Sequence, residues 1–217
     1  MDPLPHDPVH DLVAFRHAPV SLPGICYGRL DVAAALPPAE AADAIERALQ
    51  GLGARPGVIW SSPLSRCAGP AAELSTRLGV PHVVDERLLE IAYGAWEGRA
   101  FSDIEREDPS AYAAWLRDWE RAGPPGGESA IEVEARVRSF WRELGEGSCA
   151  SGRASGAPSH LLVAHAGVLR ALRVIACAAT WPAAMSAPAP HLSAERFPLP
   201  ASAVPLAACQ GARTLRA

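Results

Sequence analysis

The chain has 217 residues, enough for one substantial core, and its 49% hydrophobic and 20% charged residues are the balance of an ordinary globular domain. A formal net charge of -4 provides no basic footprint for nucleic acid and no polybasic patch for a membrane, so any anion site has to be local, built from a few arginines. Five scattered cysteines without CxxC spacing argue against a zinc site or a disulfide framework and fit reduced thiols in a cytoplasmic setting.

"MDPLPHDPVH" lacks the basic and apolar regions of a signal peptide, and no run approaches the ~18 apolar residues of a membrane span. "DLVAF" (11–15) then reads as a short buried strand that stops at Arg16-His17. A Pro/Gly-rich loop leads to Pro37-Pro38, which opens a helix over "AEAADAIERALQGLG" that stops at Gly51–Gly53. "GVIW" (57–60) is a second strand. After it, "SSPLSRCAGPAAELSTRLG" predicts a helix with Ser62 as N-cap and Pro63 in its first position. A kink or restart is expected at Pro70, which lacks the N–H an unbroken helix needs.

"PHVV" is a third short strand. Residues 86–128 are richer in Glu, Arg and Trp and predict a helical cap insertion over the core. Ser129 and Glu132 match a capping box ahead of the helix "AIEVEARVRSFWREL". The Gly/Ser/Ala-rich stretch 145–159 predicts a surface loop. "HLLVA" (160–164) is a core strand feeding the helix "AGVLRALRVIACAAT", and the proline- and alanine-rich segment 182–217 predicts irregular or weakly stranded structure. Strands alternating with helices place the chain, 1–217, in the α/β class as one domain. The architecture predicted is a three-layer α/β/α sandwich with a mostly parallel central sheet.

Three strand ends carry the chemistry: Arg16-His17, "SSPLSR", and His165-Ala166-Gly167. In an open α/β sheet, ligands gather at the carboxyl ends of the strands. Two histidines arrive there with Arg16 and Arg66, the latter in the first turn of a helix whose N–H groups favour an anion. Two guanidinium forks make a phosphate pocket, and a neutral imidazole within it can attack phosphorus. Such a reaction asks for positioning and charge stabilisation and calls for no metal and no cofactor.

"FRHAP", "SSPLSR", "LLEIAYGAWEGR", "GGES" and "VAHAGVLR" occur in the order and spacing of the histidine phosphatase superfamily, and the chain resembles that family over residues 11–170. The resemblance implies that His17 is the phosphorylated nucleophile. It implies that Arg16, Arg66 and His165 clamp the phosphoryl oxygens, and that Glu90 donates a proton to the leaving oxygen. Ser62 is assigned to the helix cap, with its backbone beside the phosphate. Where the family usually has glycine and then an acidic or amide residue with a hydroxyl, this chain reads Ala18-Pro19-Val20, which argues against a mutase. The following "PGICYGRLDV" is similar to the α-ribazole phosphatase-like branch of cobalamin biosynthesis, which would put Tyr27 and Arg29 against the substrate, one stacking and one pairing.

The partner implied is a small phosphorylated metabolite, with neither nucleic acid nor membrane, and oligomeric state is left open. The alternatives are a broad-specificity phosphatase, a phosphoglycerate-mutase-type enzyme, and a phospho-ligand-binding protein without turnover. Glu97 is expected to cap backbone amides, and Trp115 and Trp119 to form a packed helix face. His6, His10, His82, His160 and His191 have no ligand-like spacing and are assigned to the surface or to strand edges.

Overall fold

The computed structural model describes residues 11–150 and 159–199. Along the chain run β1 (Asp11–Arg16), α1 (Pro38–Gly51), β2 (Pro56–Ser61), α2 (Ser65–Leu78), β3 (His82–Val84), α3 (Phe101–Glu107), α4 (Pro109–Asp118), α5 (Ala130–Ala150), β4 (Ser159–Ala164), α6 (Ala166–Cys177), α7 (Trp181–Ser186) and β5 (Ala194–Pro198). Successive side chains of a strand point to opposite faces, and that alternation sets the layers. Leu12, Ala14, Leu162 and Ala164 join one cluster with Val137 and Phe140 of α5 and Leu169 and Leu172 of α6. Val13, Phe15, Leu161 and Val163 join the other with Ile45 and Leu49 of α1 and Cys67 and Leu74 of α2. The α/β/α sandwich is therefore present as read from the sequence.

The sheet order is β3-β2-β4-β1-β5, parallel except for β5. Strand β4 sits between β1 and β2, with Arg16 opposite Ala164 and Ser61 opposite Val163. The three strands thus end at one level. Whatever follows each of them meets at one edge, although the segments lie far apart in the chain.

Three local expectations are corrected. Helix α2 starts at Ser65 with Leu64 as N-cap, not at Ser62, and passes Pro70 without a break. Asp31 accepts hydrogen bonds from the Ser65 N–H and Oγ, so a distant carboxylate satisfies the first turn and residues 62–64 stay outside the helix. Pro70 forfeits one i→i−4 bond, but its ring is buried on the helix's inner face. Helix α5 runs on to Ala150, over the first part of the expected 145–159 loop, because an established helix propagates even through weak formers; residues 151–158 lie outside the described residues.

The segment 182–217, expected to be irregular or weakly stranded, carries most of α7 and then β5, which pairs antiparallel with the free edge of β1. Buried Glu195 hides this strand's pattern, and Arg173 of α6 pairs with it through Nε at 2.8 Å and Nη2 at 2.9 Å. Residues 200–217 lie outside the described residues. Within 86–128, α3, α4 and the 3-10 turn Gly94–Trp96 surround a small apolar cluster of their own, in which Trp96 and Ile104 are buried with Cys26 of the early loop, while Leu88 of the preceding turn joins the main core. Trp115 stacks on Phe101 in that cluster, whereas Trp119 meets Trp181 of the main core, so the pair serves packing at two places. Among the described residues no helix is long and apolar enough to cross a membrane.

Candidate active site

His17 follows β1 and is 1% exposed, its backbone N–H held by the Ala164 carbonyl at 3.0 Å. Its Nδ1 lies 2.6 Å from the Ala18 carbonyl oxygen. A carbonyl only accepts, so Nδ1 carries the hydrogen and Nε2 keeps its lone pair. Burial drives the His17 pKa down to about 3; the Ala18 bond works against this, and the charges of Arg66 and Arg16, with His191, add to it. The ring is thus neutral at ordinary pH, with Nε2 available to attack.

His165 is fully buried and meets the His17 ring edge-on, with centroids 5.2 Å apart. Its Nε2 lies 2.8 Å from Ser62 Oγ, which also accepts from the Leu64 N–H at 3.3 Å. Ser62 therefore steadies His165 and the approach to α2 rather than occupying the N-cap position. Burial, reinforced by Arg66, keeps the His165 pKa well below the usual histidine range.

Arg66 is 1% exposed. Its Nη1 donates to the Leu30 carbonyl at 2.9 Å, and its Nη2 to those of Tyr27 at 3.0 Å and Gly28 at 2.9 Å. Arg16 donates from Nη1 to the Ala189 carbonyl at 2.8 Å. In both, Nε is buried without a partner among the described residues. Buried donors are ordinarily paired, so two guanidinium groups with unspent N–H beside a neutral imidazole mark a place for an anion.

Glu90 reaches this edge from the other side. Its Oε1 accepts from its neighbour Ile91 N–H at 2.9 Å and from Gly167 N–H, at the start of α6, at 3.1 Å. A Cβ on Gly167 would overlap Glu90 Oε1, so only glycine lets the carboxylate sit there. Arg136 of α5 holds the segment in place, donating to the carbonyls of Arg87, Leu89 and Glu90. It also pairs with Glu128, whose carboxylate takes the Ala92 N–H and Arg29. Burial raises the Glu128 pKa, but hydrogen bonds and charge from Arg136 outweigh it and the net shift is downward.

Arg29 is thus tied to Glu128, and the Tyr27 ring lies against the Arg66 guanidinium at 5.3 Å. Glu97 caps backbone amides as expected, taking the N–H groups of Arg29, Leu30 and Tyr93. His82 bonds Ser61 and His160 accepts from Trp60, while His6 and His10 lie outside the described residues. His191, assigned to the surface or a strand edge, is half-buried, with its ring 5.3 Å from that of His17. Sequence reading also passed over Arg136 and Glu128, whose role shows only when separate segments converge. The sole signal for Arg136 was a charge beside the apolar stripe Val133, Val137, Phe140.

The family model described as "Histidine phosphatase superfamily (branch 1)" matches residues 12–193. "Putative phosphoserine phosphatase 2" of Hydrogenobacter thermophilus is 34% identical over 149 residues, covering 69% of this chain and 68% of its own. The adenosylcobalamin/alpha-ribazole phosphatase of Salmonella typhimurium is 35% identical over 126 residues, 58% of each chain. The solved structure of a mycobacterial glucosyl-3-phosphoglycerate phosphatase superposes with a TM-score of 0.74 at 30% identity, covering 87% of this chain and 89% of that one.

Proposed function

The chain belongs to the histidine phosphatase superfamily, and from that premise we propose that it hydrolyses phosphomonoesters of small metabolites, without a metal, through a phosphohistidine on His17. The observation that carries the reading is the neutral His17 held with Nδ1–H on Ala18, its Nε2 lone pair free between guanidiniums that keep unspent N–H groups.

Nε2 of His17 attacks phosphorus and the ester P–O bond breaks, its electron pair leaving with the alcohol oxygen. Glu90 gives that oxygen a proton. A water then attacks the phosphorus and gives its proton to the Glu90 carboxylate. The N–P bond breaks, and its electron pair returns to Nε2. Arg16 and Arg66 offset the charge on the phosphoryl oxygens throughout, with His165 alongside. The positive charge needed comes from side chains, which is what makes the reaction independent of a metal.

The loop "PGICYGRLDV" and the Salmonella typhimurium relative support α-ribazole 5′-phosphate as substrate. Glucosyl-3-phosphoglycerate is the second reading, supported by the mycobacterial structure. The test is kcat/KM for both compounds and for phenyl phosphate, in the presence of EDTA. A preference for α-ribazole 5′-phosphate of roughly 100-fold, the discrimination a few specific contacts supply, is expected. Equal rates on all esters would indicate a broad-specificity phosphatase, and isomerised product with little free phosphate a mutase. Phosphate binding without turnover would leave a phospho-ligand-binding protein, and loss of activity in EDTA would overturn metal independence.

A further inference from the structure

His191 belongs to the loop between α7 and β5, far in sequence from the strand ends that built the site. The loop is fastened to Arg16 on both sides of this residue. The Arg16 guanidinium donates to the Ala189 carbonyl at 2.8 Å, and the Arg16 carbonyl accepts from the Leu192 N–H at 2.9 Å. Leu192 adopts a φ of 55°, a turn that only a firmly held loop keeps in a leucine. The fastening brings the His191 ring to 5.3 Å from that of His17, tilted by 59°.

Its Nε2 is buried and has no hydrogen-bond partner among the described residues. The same is true of Arg16 Nε, on the residue that fastens the loop, and of Arg66 Nε, on a residue that is itself 1% exposed. The charges of Arg16 and Arg66 act on His17 and the His191 ring lies against it, so three residues with an unpaired nitrogen stand near one nucleophile. Burial, helped by Arg16, lowers the His191 pKa to about 4, so the ring is neutral rather than a third cation.

Resting on the proposed phosphohistidine reading, we propose that His191 is a further phosphoryl-contacting residue, its Nε2–H donating to a phosphoryl oxygen of the group on His17. The C-terminal part of the fold then completes the pocket instead of merely extending the sheet.

The test compares His191→Phe with His191→Gln, whose amide N–H falls near the imidazole Nε2, in the full chain. Thermal unfolding of both variants separates a folding defect from a lost contact. The readouts are kcat/KM on phenyl phosphate and the inhibition constant of inorganic phosphate. His191→Phe is expected to lose roughly 10- to 100-fold in both, the worth of one hydrogen bond to a charged group. His191→Gln is expected to recover most of it. Equal losses in the two variants, or unchanged phosphate inhibition in His191→Phe, would overturn the contact. If the wild-type protein neither turns over phenyl phosphate nor labels on His17, it is the underlying reading that fails instead.

Discussion

The floor and the wall of the site are built in opposite ways. The floor consists of residues that follow neighbouring parallel strands: His17 after β1, Ser62 after β2 and His165 after β4, each held by sheet register and buried. The wall is made of the 26–31 loop and the start of the 86–128 segment, and carboxylates and Arg136 hold it: Glu97 on the backbone of Arg29 and Leu30, Glu128 between Arg29 and Arg136, Arg136 on the carbonyls of Arg87, Leu89 and Glu90. The floor presents neutral imidazoles, with the unpaired Nε groups of Arg16 and Arg66 beside them, whereas the charged groups of the wall are paired with one another. On the proposed mechanism, chemistry common to every phosphoester belongs to the floor, and the fate of the leaving group belongs to the wall.

The largest effect that can break this division is on Glu90. Glu90→Gln is expected to lower turnover of alkyl phosphates by ~10²–10⁴, the usual worth of a general acid. The first-turnover burst of nitrophenolate from p-nitrophenyl phosphate should survive, because that leaving group needs no proton. Gly167→Ala should act in the same direction, since its Cβ displaces the Glu90 carboxylate. An equal loss of alkyl turnover and aryl burst would mean that Glu90 works on the phosphoryl group and that the division is wrong.

A smaller effect separates floor from wall by pH. His17 has its pKa lowered from 6.5 to about 3, and His165 is also held low, so the unfolded chain binds protons that the folded one refuses. Stability then rises with pH, and it is lost as pH falls below 6.5, by up to about 1.4 kcal/mol per pH unit for each of these two histidines. The wall carboxylate of Glu128 is lowered from 4.5 and contributes stability that is lost only below that value. The urea midpoint should therefore fall between pH 7 and pH 5, and fall less steeply in His17→Asn. A flat midpoint over that interval would show that the floor histidines take up protons in the folded state.

The floor was legible in the sequence because an apolar run followed at once by Arg-His or His-Ala-Gly states both the strand and what leaves it. The capping box at Ser129 and Glu132 was legible for a similar reason: its partners are three residues apart, and Glu132 accepts from both the Ser129 N–H and Oγ at 2.7 Å. Ser62 was misplaced because a good local cap found a better partner in His165, 103 residues away. β5 was hidden because Glu195 occupies a buried position that only Arg173 makes tolerable. His191 went unseen for the same cause, since its position depends on the strand that follows it and on both ends of Arg16.

The central claim is that the free Nε2 of His17 takes the phosphoryl group. Its most direct test is a rapid quench into alkali after mixing the protein with a labelled phosphomonoester. The account predicts acid-labile, base-stable label on wild-type protein, none on His17→Ala, and, with p-nitrophenyl phosphate as the labelled ester, whose leaving group needs no proton, accumulation in Glu90→Gln, where the water lacks its base. Absence of label on the wild type, or equal label on His17→Ala, would contradict it.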